Sequence, residues 1–311
     1  MLVSRVLFTR RLQVLCFLLL AAPAFGQQDL SLNGSIDFRV HSAPDSIERS
    51  MDADDLARLA KQRGMRALVF KNHTESTAAL AYLVRKQVPG LEVFGGIALN
   101  EAVGGVNLEA VRRLSMMKGG TGKVVWMPTV DSVNMVTKLK EKRTTIPVSK
   151  NGKLLPEVIA VIDFIAKHPD MVLETGDSTA EEALMIIHEA RQRGVAHVIA
   201  TNPRGMFVDM TIPQMKQAAS EGAYLEFIYR AVIGEHPQRT LQEYANAIRQ
   251  AGPEHCLLGS DFGPGGKDAD HWLSPDGIMD FMKALRKEGF SVDEINMMAK
   301  TNPARALGLK P

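Results

Sequence analysis

The sequence predicts an α/β chain folded as a (β/α)8 TIM barrel, and three observations carry that prediction. Short apolar runs alternate with segments of helical period along nearly the whole chain. Each run ends in polar or charged residues, as parallel strands do where their loops gather around a site. Eight such units are present, and no Gly-x-Gly-x-x-Gly follows the first strand, which weighs against an open dinucleotide-binding sheet.

The first strand is Ile36-Asp37-Phe38-Arg39-Val40-His41, stopped by Ser42-Ala43-Pro44-Asp45. Strict alternation puts Asp37, Arg39 and His41 on one face and Ile36, Phe38 and Val40 on the other. Three ionisable groups on one face are costly to bury alone, so that face is expected to look onto a polar site completed by later strands. Residues 52–63 read as a helix with Leu56, Leu59 and Ala60 on one side, ended by Gly64. A second strand, 67–73, stays apolar until Lys71-Asn72-His73, and helix 77–87 is stopped by Pro89-Gly90. Strand 91–99, helix 108–118 and strand 123–129 follow. The rhythm breaks over 131–155, a lysine-rich stretch with little apolar periodicity, which reads as an insertion: a lid or a solvated loop. It resumes with helix 156–167, strand 171–176, helix 179–193, strand 197–202 and helix 212–221. Strand 224–229, helix 241–250, strand 256–261 and helix 276–288 complete the eight units. A last helix over 292–300 leads into Asn302-Pro303-Ala304-Arg305-Ala306-Leu307-Gly308-Leu309.

The N-terminus is read apart from the fold. Arg5, Arg10 and Arg11 precede an apolar run over 12–22, and Ala24-Phe25-Gly26 supplies small residues for cleavage. That is a cleaved signal peptide over 1–26, with a periplasmic or secreted chain of 27–311 as one domain; the run is short of the ~20 residues of a membrane span. Removing the three arginines leaves 34 basic against 35 acidic residues. Such balance argues against nucleic acid as a partner, and no membrane association is expected after cleavage. Cys16 leaves with the signal, so Cys256 has no disulfide partner within the chain.

Function is sought at the strand ends, which offer Arg39 and His41, Lys71 and His73, Asn100 and Glu101, Asp177, Asn202, Arg230 and Asp261. Asp177 has the competing reading of a helix cap before Ser178-Thr179. His271-Trp272 and His236 fall in loops after strands, while His168, His188, His197 and His255 sit on helices or at opposite strand ends and read as structural.

Taken in order, Asp37-Phe38-Arg39-Val40-His41, Lys71-Asn72-His73, Thr175-Gly176-Asp177, Ala200-Thr201-Asn202-Pro203, Gly259-Ser260-Asp261-Phe262-Gly263 and the closing Asn302-Pro303-Ala304-Arg305 resemble the amidohydrolase (metal-dependent hydrolase) superfamily. The resemblance covers nearly all of the mature chain. It implies one or two divalent ions held by histidines on strands one, five and six and an aspartate on strand eight, with hydroxide attacking a carbonyl or similar centre. This chain departs from that pattern: Arg39 stands before His41, and Asp177 and Asn202 occupy positions where the family has histidines. Lys123 lies at the far end of strand four, so a bridging modified lysine there has no support.

Two arrangements are open. In one, His41, His73, Asp177 and Asp261 hold a Zn²⁺ or Mn²⁺ ion, with Arg39 an awkward neighbour because its cation cannot deprotonate. In the other, the ion is lost and Arg39 takes its place, paired with Asp177 or Asp261. Either way Asp261 is the expected proton-handling group, joined by Lys71 if that lysine is a desolvated base; Lys71 reads equally as a contact to a substrate carboxylate or as one half of an ion pair with a neighbouring acid. Arg39, Asn202 and Arg230 are the expected contacts to a small, anionic substrate. The expected activity is hydrolysis of a small C–N or C–O bonded compound. The alternatives are a degenerate barrel that binds a small anionic ligand, and lyase or decarboxylase chemistry.

Overall fold

The computed structural model describes residues 29–234, 237–265 and 274–310. The signal segment 1–26, His236, His271 and Trp272 lie outside these residues. Eight parallel strands follow each other in chain order: β1 (Ile36–Val40), β2 (Ala67–Phe70), β3 (Glu92–Ala98), β4 (Gly122–Trp126), β5 (Val172–Glu174), β6 (His197–Ala200), β7 (Tyr224–Ile228) and β8 (Cys256–Gly259). The ring closes between β8 and β1. There the His41 amide donates to the Phe262 carbonyl at 2.8 Å, and the Asp261 amide to the Arg39 carbonyl at 2.9 Å. The molecule is a (β/α)8 barrel.

Its strands are apolar on both sides because both sides are covered. Val40, Leu68, Phe70, Val125, Leu225 and Leu258 belong to the layer beneath the helices. Ile36, Val69, Phe94, Trp126, Ile199 and Leu257 fill the ring itself, together with Ala304, Ala306 and Leu307 from the C-terminal segment. That segment plugs the end opposite the polar strand ends: Lys123 Nζ, at the start of β4, donates to the Leu307 carbonyl at 3.1 Å. Helices α1 (Ala53–Gln62), α2 (Ala78–Gln87), α3 (Leu108–Ser115), α5 (Pro156–Ala166), α6 (Ala180–Gln192), α7 (Ile212–Ser220) and α8 (Leu241–Ala251) form the outer layer, and α4 (Val133–Leu139) lies in the segment after β4. Thr179, Thr211 and Thr240 each start a helix with a reciprocal capping box, which fixes where α6, α7 and α8 begin.

Close packing leaves β3 no room for side chains at its glycines. A Cβ on Gly96 would overlap the Val124 carbonyl and the Trp126 ring. Gly96→Ala is therefore expected to cost about 1–3 kcal/mol by overpacking, read as a lower urea midpoint with an unchanged slope. A neutral result would mean that β4 can move away from β3.

Two features differ from the sequence reading. Asp37 pairs in register with Leu68 and Val40 with Phe70, so Phe38 and Arg39 together stand opposite the single residue Val69. This β-bulge resets the alternation. Asp37 is left out of the mouth cavity and accepts from the Ser260 amide at 2.9 Å and the Ser260 hydroxyl at 2.5 Å, while Arg39 and His41 are turned into the mouth. The second difference is residues 131–155, which hold α4 (Val133–Leu139) and a hairpin of Ser149–Lys150 with Lys153–Leu154. A seven-residue helix is too short to declare a period. Asn134 ties the segment down by donating to the carbonyls of Asp177 and Ser178 at 3.1 Å and of Phe207 at 2.7 Å.

Candidate active site

A cavity of about 650 Å³ opens at the C-terminal mouth of the barrel. Arg39, His41, Lys71, His73, Asp177, Asn202, Arg230 and Asp261 all line it, while Asn100 and Glu101, the other strand-end candidates, do not. Those that line it come from β1 and from the turns after β1, β2, β5, β6, β7 and β8, far apart in the chain.

The centre is an ion cluster on Arg39. Its Nε donates to Glu226 Oε1 at 3.2 Å and its Nη2 to Glu226 Oε2, a two-point grip on a carboxylate. Nη2 is also 3.6 Å from Glu174 Oε2, and Nη1 is 3.8 Å from Asp261 Oδ1. Of the pairings expected with Asp177 or Asp261, the one with Asp261 is present as a longer contact; the main partner is Glu226, and Asp177 makes no ion pair with Arg39 within 4.0 Å among the described residues. The reason is geometric, since Glu226 lies level with Leu257 and Glu174 with Trp126 on the inner face of the ring, where the bulged Arg39 points.

Burial opposes the Arg39 charge, but Glu226, Asp261 and Glu174 outweigh it and hold the guanidinium protonated. Burial and the Glu226 charge push Glu174 up to about 8, although Thr201 Oγ1 donates to it at 2.9 Å. Burial raises the Glu226 carboxyl as well, and the Arg39 cation it grips works against that rise, while Glu174 keeps its proton at neutral pH. Both glutamates were missed from sequence. The signal was there: a single acid inside Val172-Leu173-Glu174 and inside Leu225-Glu226-Phe227.

Around the cluster sit the remaining groups. His41 Nε2 is 3.3 Å from Asp261 Oδ1, and burial lowers the imidazole to about 4, so it is neutral at physiological pH. Burial works against the Asp261 charge too, but the His41 hydrogen bond and the Arg39 charge prevail and hold the carboxyl well below its usual range. His73 stacks on His41 with ring centroids 5.2 Å apart, and its Nδ1 meets Thr129 Oγ1 at 2.9 Å. Burial, and after it the Lys71 charge, keeps this imidazole neutral as well. Asn100 Nδ2 donates to the same threonine at 2.8 Å, so this strand-end asparagine supports the site from behind.

Asp177 is not the helix cap, because Thr179 is. Its carboxyl is left for the cavity and is raised by burial. Asn202 accepts from the Tyr244 hydroxyl at 2.6 Å. Asn202 and Asp261 carry left-handed backbones, φ 36° and 55°, a conformation that short polar side chains tolerate and that often marks functional positions. Lys71 is only 3% exposed and lies 5.4 Å over the Trp126 ring, its pKa lowered by burial and by Arg39. Arg49, also missed, joins the wall but is tied to Asp45 at 2.6 Å.

This donor set does not fit a divalent ion. Among the described residues no group of three or more histidine, cysteine, aspartate and glutamate side chains is placed to hold one. The position beside Asp261 is taken by a permanent cation, with Lys71 in the same cavity, and both would repel an added ion.

A family model described as "Family of unknown function (DUF6282)" matches residues 34–226. No curated protein matches the sequence. Among solved structures, the chain is similar to an organophosphorus hydrolase from Deinococcus radiodurans, with a TM-score of 0.61 at 14% identity over 88% of this chain and 92% of that one. It is also similar to a structure described as engineering of organophosphate hydrolysis activity from a weak promiscuous lactonase template, with a TM-score of 0.60 at 14% identity over 90% and 97% of the two chains. At this identity the likeness is one of fold.

Proposed function

From a chain that belongs to the DUF6282 family of unknown function, we propose an exported hydrolase of small C–N or C–O bonded compounds that works with Arg39 in the place of a divalent ion. The observation that carries the reading is the capture of Arg39 by Glu226 beside the His41–Asp261 pair. A fixed cation keeps Asp261 ionised in a buried setting, as an ion would. Asp261, 18% exposed, accepts a hydrogen bond from the attacking water. As the water oxygen bonds to the substrate carbonyl, its proton passes to the Asp261–His41 pair and then to the departing amine or alcohol. The organophosphorus hydrolase and lactonase descriptions of the structural neighbours, on the same barrel, support this chemistry.

The test is turnover of a panel of small esters, lactones and amides before and after dialysis against a chelator. Turnover that survives chelation is the expected result. Loss on chelation with recovery on adding Zn²⁺ or Mn²⁺ would overturn the role given to Arg39, and no turnover of any member would overturn hydrolysis.

A further inference from the structure

We propose that this cavity is built for a small dianion, with one acidic group on Lys71 deep in the mouth and the other on Arg230 at the rim. The inference rests on the cavity being the substrate site, not on the hydrolytic step.

Four cations line the cavity: Arg39, Arg49, Lys71 and Arg230. Two are committed, Arg39 to Glu226 and Arg49 to Asp45. Lys71 and Arg230 have no ion pair and no side-chain hydrogen bond among the described residues. Arg230 is exposed, and an unpaired arginine in water needs no explanation. Lys71 is 3% exposed, and an ammonium withdrawn that far from water is costly without a counter-charge in contact. The Trp126 face at 5.4 Å favours a cation but cannot neutralise it. A ligand acid group supplies the missing partner, and the guanidinium of Arg230, on the turn Tyr229–Val232, offers a second at the entrance.

The acids of the wall fit this division. Asp261 is taken up by His41 and Arg39. Asp177 makes no ion pair within 4.0 Å among the described residues and faces the same space as Lys71. Its carboxyl is open to an N–H of the ligand, which N-acetyl-aspartate offers and the bare dicarboxylates lack.

The full chain is titrated at constant ionic strength with acetate, succinate, glutarate and N-acetyl-aspartate, following melting temperature and calorimetric affinity. The dianions are expected to bind roughly tenfold tighter than acetate, the yield of one added charge-assisted contact. Lys71→Met should abolish binding of all four, and Arg230→Met should bring the dianions down to the acetate level. Arg113→Gln, on an exposed outer helix, should change nothing. Equal binding of acetate and the dianions, or dianion binding unchanged in Lys71→Met, would overturn the proposal. Circular dichroism checks the fold of each variant, with Lys71→Gln as the second variant at that site. Ester turnover without dianion binding sinks this inference alone; dianion binding without turnover supports it and sinks the hydrolytic reading alone.

Discussion

Arg39→Met is expected to lower the stability of the barrel by about 3–5 kcal/mol, the usual cost of stranding one half of a buried ion pair. Arg39 and Glu226 are both withdrawn from water, with side-chain exposures of 4% and 0%. Methionine preserves much of the volume, so the loss reports charge rather than a cavity. Glu226 would then have to take up a proton beside Glu174, which already holds one up to about pH 8 because of burial and its neighbour. The double variant Arg39→Met with Glu226→Gln removes both charges and is expected to regain most of the loss, since it leaves no uncompensated ion. Urea unfolding of the four proteins in the cycle measures this. If Arg39→Met costs less than about 1 kcal/mol, in the range of an exposed pair, the cluster is not the electrostatic centre of the mouth.

Asp261→Asn is expected to reduce turnover by about 10²–10⁴-fold while leaving the fold intact, the range for losing a positioned proton acceptor. The amide keeps the shape of the carboxylate but cannot take a proton. A second readout follows from His41. Burial lowers its imidazole to about 4, and Asp261 works against that fall. Activity that needs a neutral His41 is therefore present above pH 4 and lost as pH drops through it. Without the Asp261 charge the imidazole protonates at still lower pH, so the residual activity of the variant should carry its acid limb further down. A variant with near wild-type turnover, or with its acid limb moved upward, would remove Asp261 from the chemistry.

The polar strand ends were legible because each interrupts an apolar run at the position where a parallel strand must stop. What they pair with was not. Glu174 and Glu226 sit within apolar strands, and only the ring brings them within reach of a residue more than 130 positions earlier. Asp37 was misplaced because a bulge of one residue cannot be seen in alternation alone: the pattern Asp37-x-Arg39-x-His41 is identical with or without it. The helix at 133–139 was invisible for a related reason, being held by Asn134 and its carbonyl partners rather than by an apolar stripe of its own.

Local pattern by itself determined the barrel, its polar mouth and the strand-end residues gathered there, because period and strand polarity are properties of neighbours along the chain. Only the closed ring decided that Arg39 belongs to Glu226, that Asp261 belongs to His41, and that Lys71 is left without an ion pair among the described residues. Charge pairing depends on distances across the barrel, and those exist only once the eight strands have met.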